Sequence, residues 1–239
     1  MIDLHYYNSP ISYPDRFDHA PTTTQELSLV HALERLMGWY GSIHDPSLRT
    51  MFLEFHRIPN HSSAITTHAI DTGLFTTTPR PPEEREKLIN FPEEIPGNRF
   101  HAAFLSIGRP RYDVSSRRTD RLPYRMIQFG RKLKEVHNIS PKPELRVSRQ
   151  YEIGIIERQY CSYSGFPGLL PRAPNIWPDA RLMGYEYYQC PDYPISSGSK
   201  ADRPDRYSSR FNEMIEPCRI IYAIVLIRSY EAMFHSRYL

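Results

Sequence analysis

Seven of the chain's twenty-two prolines fall within the thirty-nine residues from Phe166 to Pro204. Proline has no backbone N–H to give to a helix or a sheet, and its ring fixes φ, so this stretch cannot hold long regular elements. It also carries Tyr185, Tyr187, Tyr188 and Tyr193. Rings of that size bury much apolar area, which predicts an ordered, irregular excursion rather than a disordered linker. Regular structure then has to come from the flanking segments.

The clearest helical signals lie near the N-terminus. Thr23 and Glu26 have the spacing of a capping box, and Leu27, Val30, Leu33, Met37 and Tyr40 follow at steps of three and four up to Gly38 or Gly41. Asp45 and Pro46 read as N-cap and first helical residue of a second helix with Leu48, Phe52 and Phe55 on one face. Pro59 is expected to end it by disfavouring helix at Ile58. Pro81-Pro82-Glu83-Glu84 opens a short helix that Pro92 closes, and Pro123 to His137 repeats at helical steps, with Gly130 as a weak point. Strand material is read in Ile65–Phe75, Phe100–Ile107, Leu145–Tyr163 and the β-branched run Ile220–Ile227, for which a buried helix competes. The expected fold is α+β: an N-terminal helical hairpin packed on a mainly antiparallel sheet, with long Pro/Tyr-rich irregular connections. Residues 1–22 read as an extended arm and 23–239 as one domain containing the excursion at 166–204.

Several functional classes find no support. The N-terminus lacks a basic segment followed by an apolar one, and the longest apolar run has eight residues against the roughly 20 that cross a bilayer. No membrane partner is expected, and the chain reads as intracellular or virion-associated. Cys161, Cys190 and Cys218 are widely separated, with no CxxC pair. His56, His61 and His68, with Asp71 nearby, are spaced five and seven apart rather than at the i, i+4 of a helical metal site. No metal or other cofactor is implied. Without a GxSxG elbow or a phosphate loop, a divergent hydrolase around those histidines stands only as an alternative.

Charge is the sharpest asymmetry. Twenty-five of the thirty basic residues are arginine, and codon bias competes with function as the cause. Arg109, Arg111, Arg117, Arg118, Arg121, Arg125, Arg131, Lys132 and Lys134 are opposed only by Asp113 and Asp120, giving +7 in a chain of +3. A cationic segment interleaved with Tyr112 and Tyr124 suits phosphate neutralisation and base stacking, so RNA is an alternative partner. The leading expectation is a non-enzymatic assembly protein, such as a viral capsid-associated one, that contacts protein subunits of a homo- or hetero-oligomer. Tyr6, Tyr7, Tyr185, Tyr187 and Tyr188 would pack into partner surfaces, with arginine at the rim.

Overall fold

The computed structural model describes residues 9–18, 20–39, 45–73, 80–95, 97–99, 101, 103–112, 114, 119, 121–139, 150–166, 168–172, 179–189 and 193–235. Within these residues there are seven α-helices: α1 (Thr22–Met37), α2 (Asp45–Asp71), α3 (Arg80–Glu93), α4 (Leu122–Ile139), α5 (Arg158–Ser164), α6 (Leu169–Arg172) and α7 (Arg203–His235). The expected antiparallel sheet is replaced by one small hairpin, β1 (Leu105–Ser106) and β2 (Arg109–Pro110), with Leu105 opposite Pro110. The fold is mostly helical, not α+β.

Four helices close a ring. α2 packs on α7 and α3, and α4 packs on the same two helices from the other side. Each carries an apolar stripe at helical spacing. Leu122, Met126, Phe129 and Leu133 step by four, three and four along α4, and Phe211, Met214, Cys218, Ile221 and Val225 alternate the same steps along α7; all are buried. On α2, Phe52 stacks on Phe104 with ring centroids 3.7 Å apart, and Phe55 stacks on Phe91 of α3 at 4.9 Å. The ring leaves a central cavity of about 20 Å³ lined from all four helices, among others by Ile65, Glu84, Phe129 and Met214.

The corrections share one physical cause, the tertiary override of local signals. Pro59 does not end α2, which runs twelve residues beyond it. An interior proline costs a helix about 3 kcal/mol, and here Ile58 and Ile65, both buried, flank it. The segment 65–71, expected as a strand, is the last two turns of that helix. The run Ile220–Ile227 is helical too: Ile220, Ile221, Ile224 and Val225 face the core, while Tyr222, Leu226 and Ile227 lie outside. Residues 150–157 form no strand, and 158–164 are α5.

Thr23 and Glu26 form no capping box. α1 starts after Pro21 without a side-chain cap, and both residues face inward: Thr23 Oγ1 lies 2.5 Å from His56 Nδ1, and Glu26 Oε2 accepts the Leu105 N–H at 2.7 Å. Gly38 does end α1, in the left-handed conformation that suits glycine. Of the N-terminal arm, residues 9–16 form two 3-10 turns with Ile11, Pro14 and Asp15 buried; Tyr6 and Tyr7 lie outside the described residues, as do 145–149. Among the described residues, no helix is long and apolar enough to cross a membrane.

A helix and a strand group the C-terminal run differently, since a strand would place Tyr222, Ile224 and Leu226 on one face. Ile221→Ala and Ile224→Ala are each expected to cost about 2–5 kcal/mol in urea unfolding, and Leu226→Ala much less. Equal costs for Ile224 and Leu226 would contradict the helical assignment.

Candidate functional site

Beside its apolar stripe, α2 carries a second stripe at steps of four, three and four: Thr50, Glu54, Arg57 and His61. Thr50, Glu54 and His61 are buried and Arg57 is partly buried, its side chain 24% exposed. Charged groups in such a position must be paired to be tolerated. Their partners come from α7 and from the Pro/Tyr-rich excursion.

Arg57 donates from Nε to both Glu54 oxygens, at 3.2 and 3.1 Å. The Tyr188 hydroxyl donates to the same carboxylate. His61 Nε2 lies 2.9 Å from Glu213 Oε2 on α7. Arg172 bridges Glu213 and Asp179, meeting the second at 3.1 Å, and its Nε donates to the Gly168 carbonyl. Arg181 clasps Asp179 at 2.7–3.1 Å and lies over the Tyr193 ring, 4.9 Å from its centroid. Three guanidiniums thus face three carboxylates, and the lattice is electrically neutral.

Protonation follows from burial and pairing. Burial would raise the Glu213 carboxyl, but the His61 hydrogen bond and the charges of Arg172 and Arg57 hold it below its usual value. Asp179 is lowered against burial by Arg181 and Arg172. Burial would depress the Arg57 guanidinium, yet Glu54 and Glu213 outweigh it and raise it. Burial lowers His61, so its imidazole is neutral near pH 7. Burial and the Glu54 carboxylate push the Tyr188 phenol well above its usual value and keep it a donor.

A smaller lattice lies one turn away. Arg49 meets Glu34 of α1 at 2.6 and 3.1 Å and Glu186 of the excursion at 3.1 Å, and His31 Nε2 lies 2.6 Å from Glu186. Glu34 also accepts the Gly108 N–H at 2.8 Å in the β-hairpin turn. Gly108 has φ +82°, and a Cβ there would stand 2.7 Å from the Trp39 indole nitrogen, so only glycine fits. A third buried group is the carboxyl pair Asp15 and Glu26. Asp15 Oδ2 accepts the Ala103 N–H at 3.2 Å, while Asp15 Oδ1 and Glu26 Oε1 have no other partner among the described residues. Burial, the hydrogen bond that Glu26 donates to Asp15 and the Asp15 charge push Glu26 up from 4.5 to about 9. One proton between the two carboxyls satisfies both orphan oxygens.

Of the residues singled out by sequence, Tyr188 and His61 belong to the lattice and most of the others fall elsewhere. Tyr188 is 3% exposed, and Tyr185 and Tyr187 pack against the core. Arg109, Arg111 and Arg121 are exposed, Arg117 and Arg118 lie outside the described residues, Arg125 is 3.8 Å from Glu94, and Lys132 is 2.7 Å from Glu84. Arg131 and Lys134 point to solvent from α4. His56, His61 and His68 all lie on α2, where seven residues separate the last two by about 10.5 Å along the axis, too far for one ion. Among the described residues, no three His, Cys, Asp or Glu side chains come together as metal ligands. Sequence reasoning missed Arg49, Glu54, Arg57, Arg172, Arg181 and Glu213. The available signal was the Glu54–Arg57–His61 stripe inside an apolar helix.

A ring of four helices braced by a neutral buried lattice defines a helical protein with a charged interior. The match to known sequences specifies which. Residues 71–234 match the family of the respiratory-chain NADH dehydrogenase, 49 Kd subunit, and the chain belongs to that family. It is 31% identical over 222 residues to the NADH-ubiquinone oxidoreductase 49 kDa subunit of Reclinomonas americana, which covers 92% of this chain and 56% of that protein. It is 32% identical to NADH dehydrogenase (ubiquinone) iron-sulfur protein 2 of Nicotiana sylvestris, with the same coverage. To an NADH-quinone oxidoreductase protein of Aquifex aeolicus it is 32% identical, over 92% of this chain and 37% of that one. The chain spans about half the length of the first two relatives. Family membership overturns the viral capsid-associated and RNA-binding readings, and RNA is not a supported partner.

One relative's name implies an iron–sulfur cluster. Such clusters take four cysteine thiolates, or two with two histidines. This chain has three cysteines in all. Burial pushes the Cys218 thiol up to about 12, and it donates to the Met214 carbonyl at 3.3 Å, the opposite of a metal-bound thiolate. Cys161 is buried on α5 and Cys190 lies outside the described residues. The donors present do not fit a cluster.

Glu213→Gln removes a carboxylate that balances Arg172, and is expected to destabilise the chain by about 3–5 kcal/mol in urea unfolding. The carboxyl pair predicts a pH dependence. The folded chain keeps on Glu26 a proton that the unfolded chain loses above 4.5, so this contribution is full below pH 4.5 and is lost as pH rises toward about 9. Glu26→Gln should flatten that slope between pH 5 and 9. An unchanged slope would show that the pair does not share a proton.

Proposed function

We propose that this chain is a subunit of an NADH-quinone oxidoreductase, in which it supplies a rigid helical scaffold against which other subunits pack. The observation that carries this reading is similarity along 92% of the chain to proteins named as parts of that enzyme. The distribution of side chains supports it. Charged residues fill the interior of the lattice, while large apolar ones stand outside: Tyr151, Ile153 and Ile155 are 43–53% exposed, Tyr160 is 58% exposed and Tyr163 is 92% exposed. An apolar surface of this kind is characteristic of a protein that is covered in its working state.

On this reading the lattice has a positional role. It holds residues 168–172, 179–189 and 193 in place, with the lattice charges neutralised inside the chain, so partners meet a surface set by rigid packing.

A tagged chain expressed in the organism that encodes it, extracted in mild detergent and run on a native gel, tests the proposal. It should migrate with a large complex that reduces a tetrazolium dye from NADH. Migration only near its own 28.1 kDa, apart from that activity, would overturn the reading.

A further inference from the structure

On the outside of the ring, α4 and α7 border a groove of about 420 Å³. From α4 it is lined by Ile127, Gly130, Arg131 and Lys134, and from α7 by Ile215, Cys218, Arg219 and Tyr222. Both sets have the spacing i, i+3, i+4, i+7, so each helix gives one face of two turns, about 10.5 Å long. The floor is apolar. Ile127 is 46% exposed and Tyr222 38%, and Leu226, one turn beyond Tyr222, is 39% exposed.

Gly130 gives the groove its depth. Glycine inside a helix is less favourable than alanine, and nothing among the described residues demands it: no positive φ is recorded there, and no atom of those residues lies within 4 Å of where its Cβ would stand. A close approach from outside is the physical reason left for a bare backbone at this point. The cations of α4 divide accordingly. Arg125 and Lys132 are committed to Glu94 and Glu84. Arg131 and Lys134 are exposed on the groove side and form no ion pair among the described residues. Across the groove, the Arg219 side chain is 66% exposed and gives one N–H to Glu216.

We propose that this groove docks an acidic amphipathic helix from elsewhere in the enzyme, its apolar stripe over Gly130 and its carboxylates on Arg131, Lys134 and Arg219. The inference rests on the reading of the chain as a subunit of a larger enzyme. A second copy fits poorly, because α3, with carboxylates at Glu83, Glu84 and Glu86, already buries Leu88, Ile89 and Phe91 in its own core. A bilayer fits poorly, because a concave trough between two helices matches a cylinder and not a flat surface.

The test uses the purified full chain and a fluorescent 21-residue helical peptide of Leu, Ala and Glu, with Leu on one stripe. The peptide should bind, and a version with Lys for Glu should bind at least tenfold more weakly. Gly130→Leu fills the trough and should weaken binding at least tenfold while thermal stability stays level or rises, which separates docking from folding. Arg131→Glu with Lys134→Glu should reverse the preference between the two peptides. Equal binding of both peptides, no effect of Gly130→Leu, or saturable binding to phosphatidylglycerol vesicles in place of the peptide would overturn the proposal, as would a dimer in sedimentation that Gly130→Leu dissolves. In the native gel, a Gly130→Leu chain that assembles as well as the natural one sinks the docking site alone. A natural chain that never joins the complex sinks the subunit reading.

Discussion

The pairing of Glu54, Arg57 and His61 on α2 with groups from α7 and the excursion is the constraint on which the fold depends. A helix buried on two adjacent faces has to satisfy two kinds of neighbour. One face of α2 packs Phe52, Phe55 and Ile58 by ordinary apolar burial. The other presents charges that would be strongly unfavourable if unpaired. The partners are supplied at fixed places: Glu213 on α7, and Arg172, Asp179, Arg181 and Tyr188 on a stretch too rich in proline to fold by itself. Apolar packing would tolerate small slides of α7 along α2, but carboxylate and guanidinium geometry does not. Burying ions gives little net stability over an apolar core. What the lattice provides is a single register between two long helices and one path for the segment between them.

That role accounts for part of the arginine excess in a way that composition could not. Arg49, Arg172 and Arg181 are buried, and Arg57 is partly so. Arg49 and Arg181 each use two nitrogens of the planar fork on one carboxylate, and Arg172 bridges two carboxylates. Lysine, a point charge on a flexible stem, would not hold them in the same geometry. Arginine in this chain is therefore an interior residue as well as a surface one. The tyrosines follow the same logic. Tyr185, Tyr188 and Tyr193 form a chain of edge-on rings, with centroids 4.9 and 6.1 Å apart, that lines the lattice and places one hydroxyl on Glu54.

The legible parts of the fold were those set by local rules. The end of α1 at Gly38, the start of α2 at Asp45, the acidic opening of α3 and the period of α4 are written in caps and steps of three and four. The illegible parts were those decided by distant residues. Pro59 breaks a helix in isolation but not one clamped by packing on both sides of it. Ile220–Ile227 reads as a strand because its apolar residues are continuous, and continuity hides the helical period when the outer face is apolar too. Thr23 and Glu26 satisfy a capping pattern, yet their partners, His56 and Leu105, are far along the chain. The lattice was hidden for the same reason. Asp179 and Arg181 lie close in sequence, but Glu54, Tyr188 and Glu213 meet only after folding.

The misread run at 220–227 carries information of its own. A helix with one solvent-facing side shows a polar stripe, and its period is then plain. Along α7 that stripe fails at Tyr222, Leu226 and Ile227, each more than a third exposed. The ambiguity between strand and helix therefore arose from outward apolar residues that the chain itself does not cover. The same holds at 151–155, where Tyr151, Ile153 and Ile155 alternate as in a strand but pair with no strand among the described residues. In a protein that works alone, such positions would be polar and the sequence easier to read. In a protein built into an assembly, the surface pattern is written for the partner, and it becomes interpretable only when the interior has been accounted for by the lattice and the apolar ring.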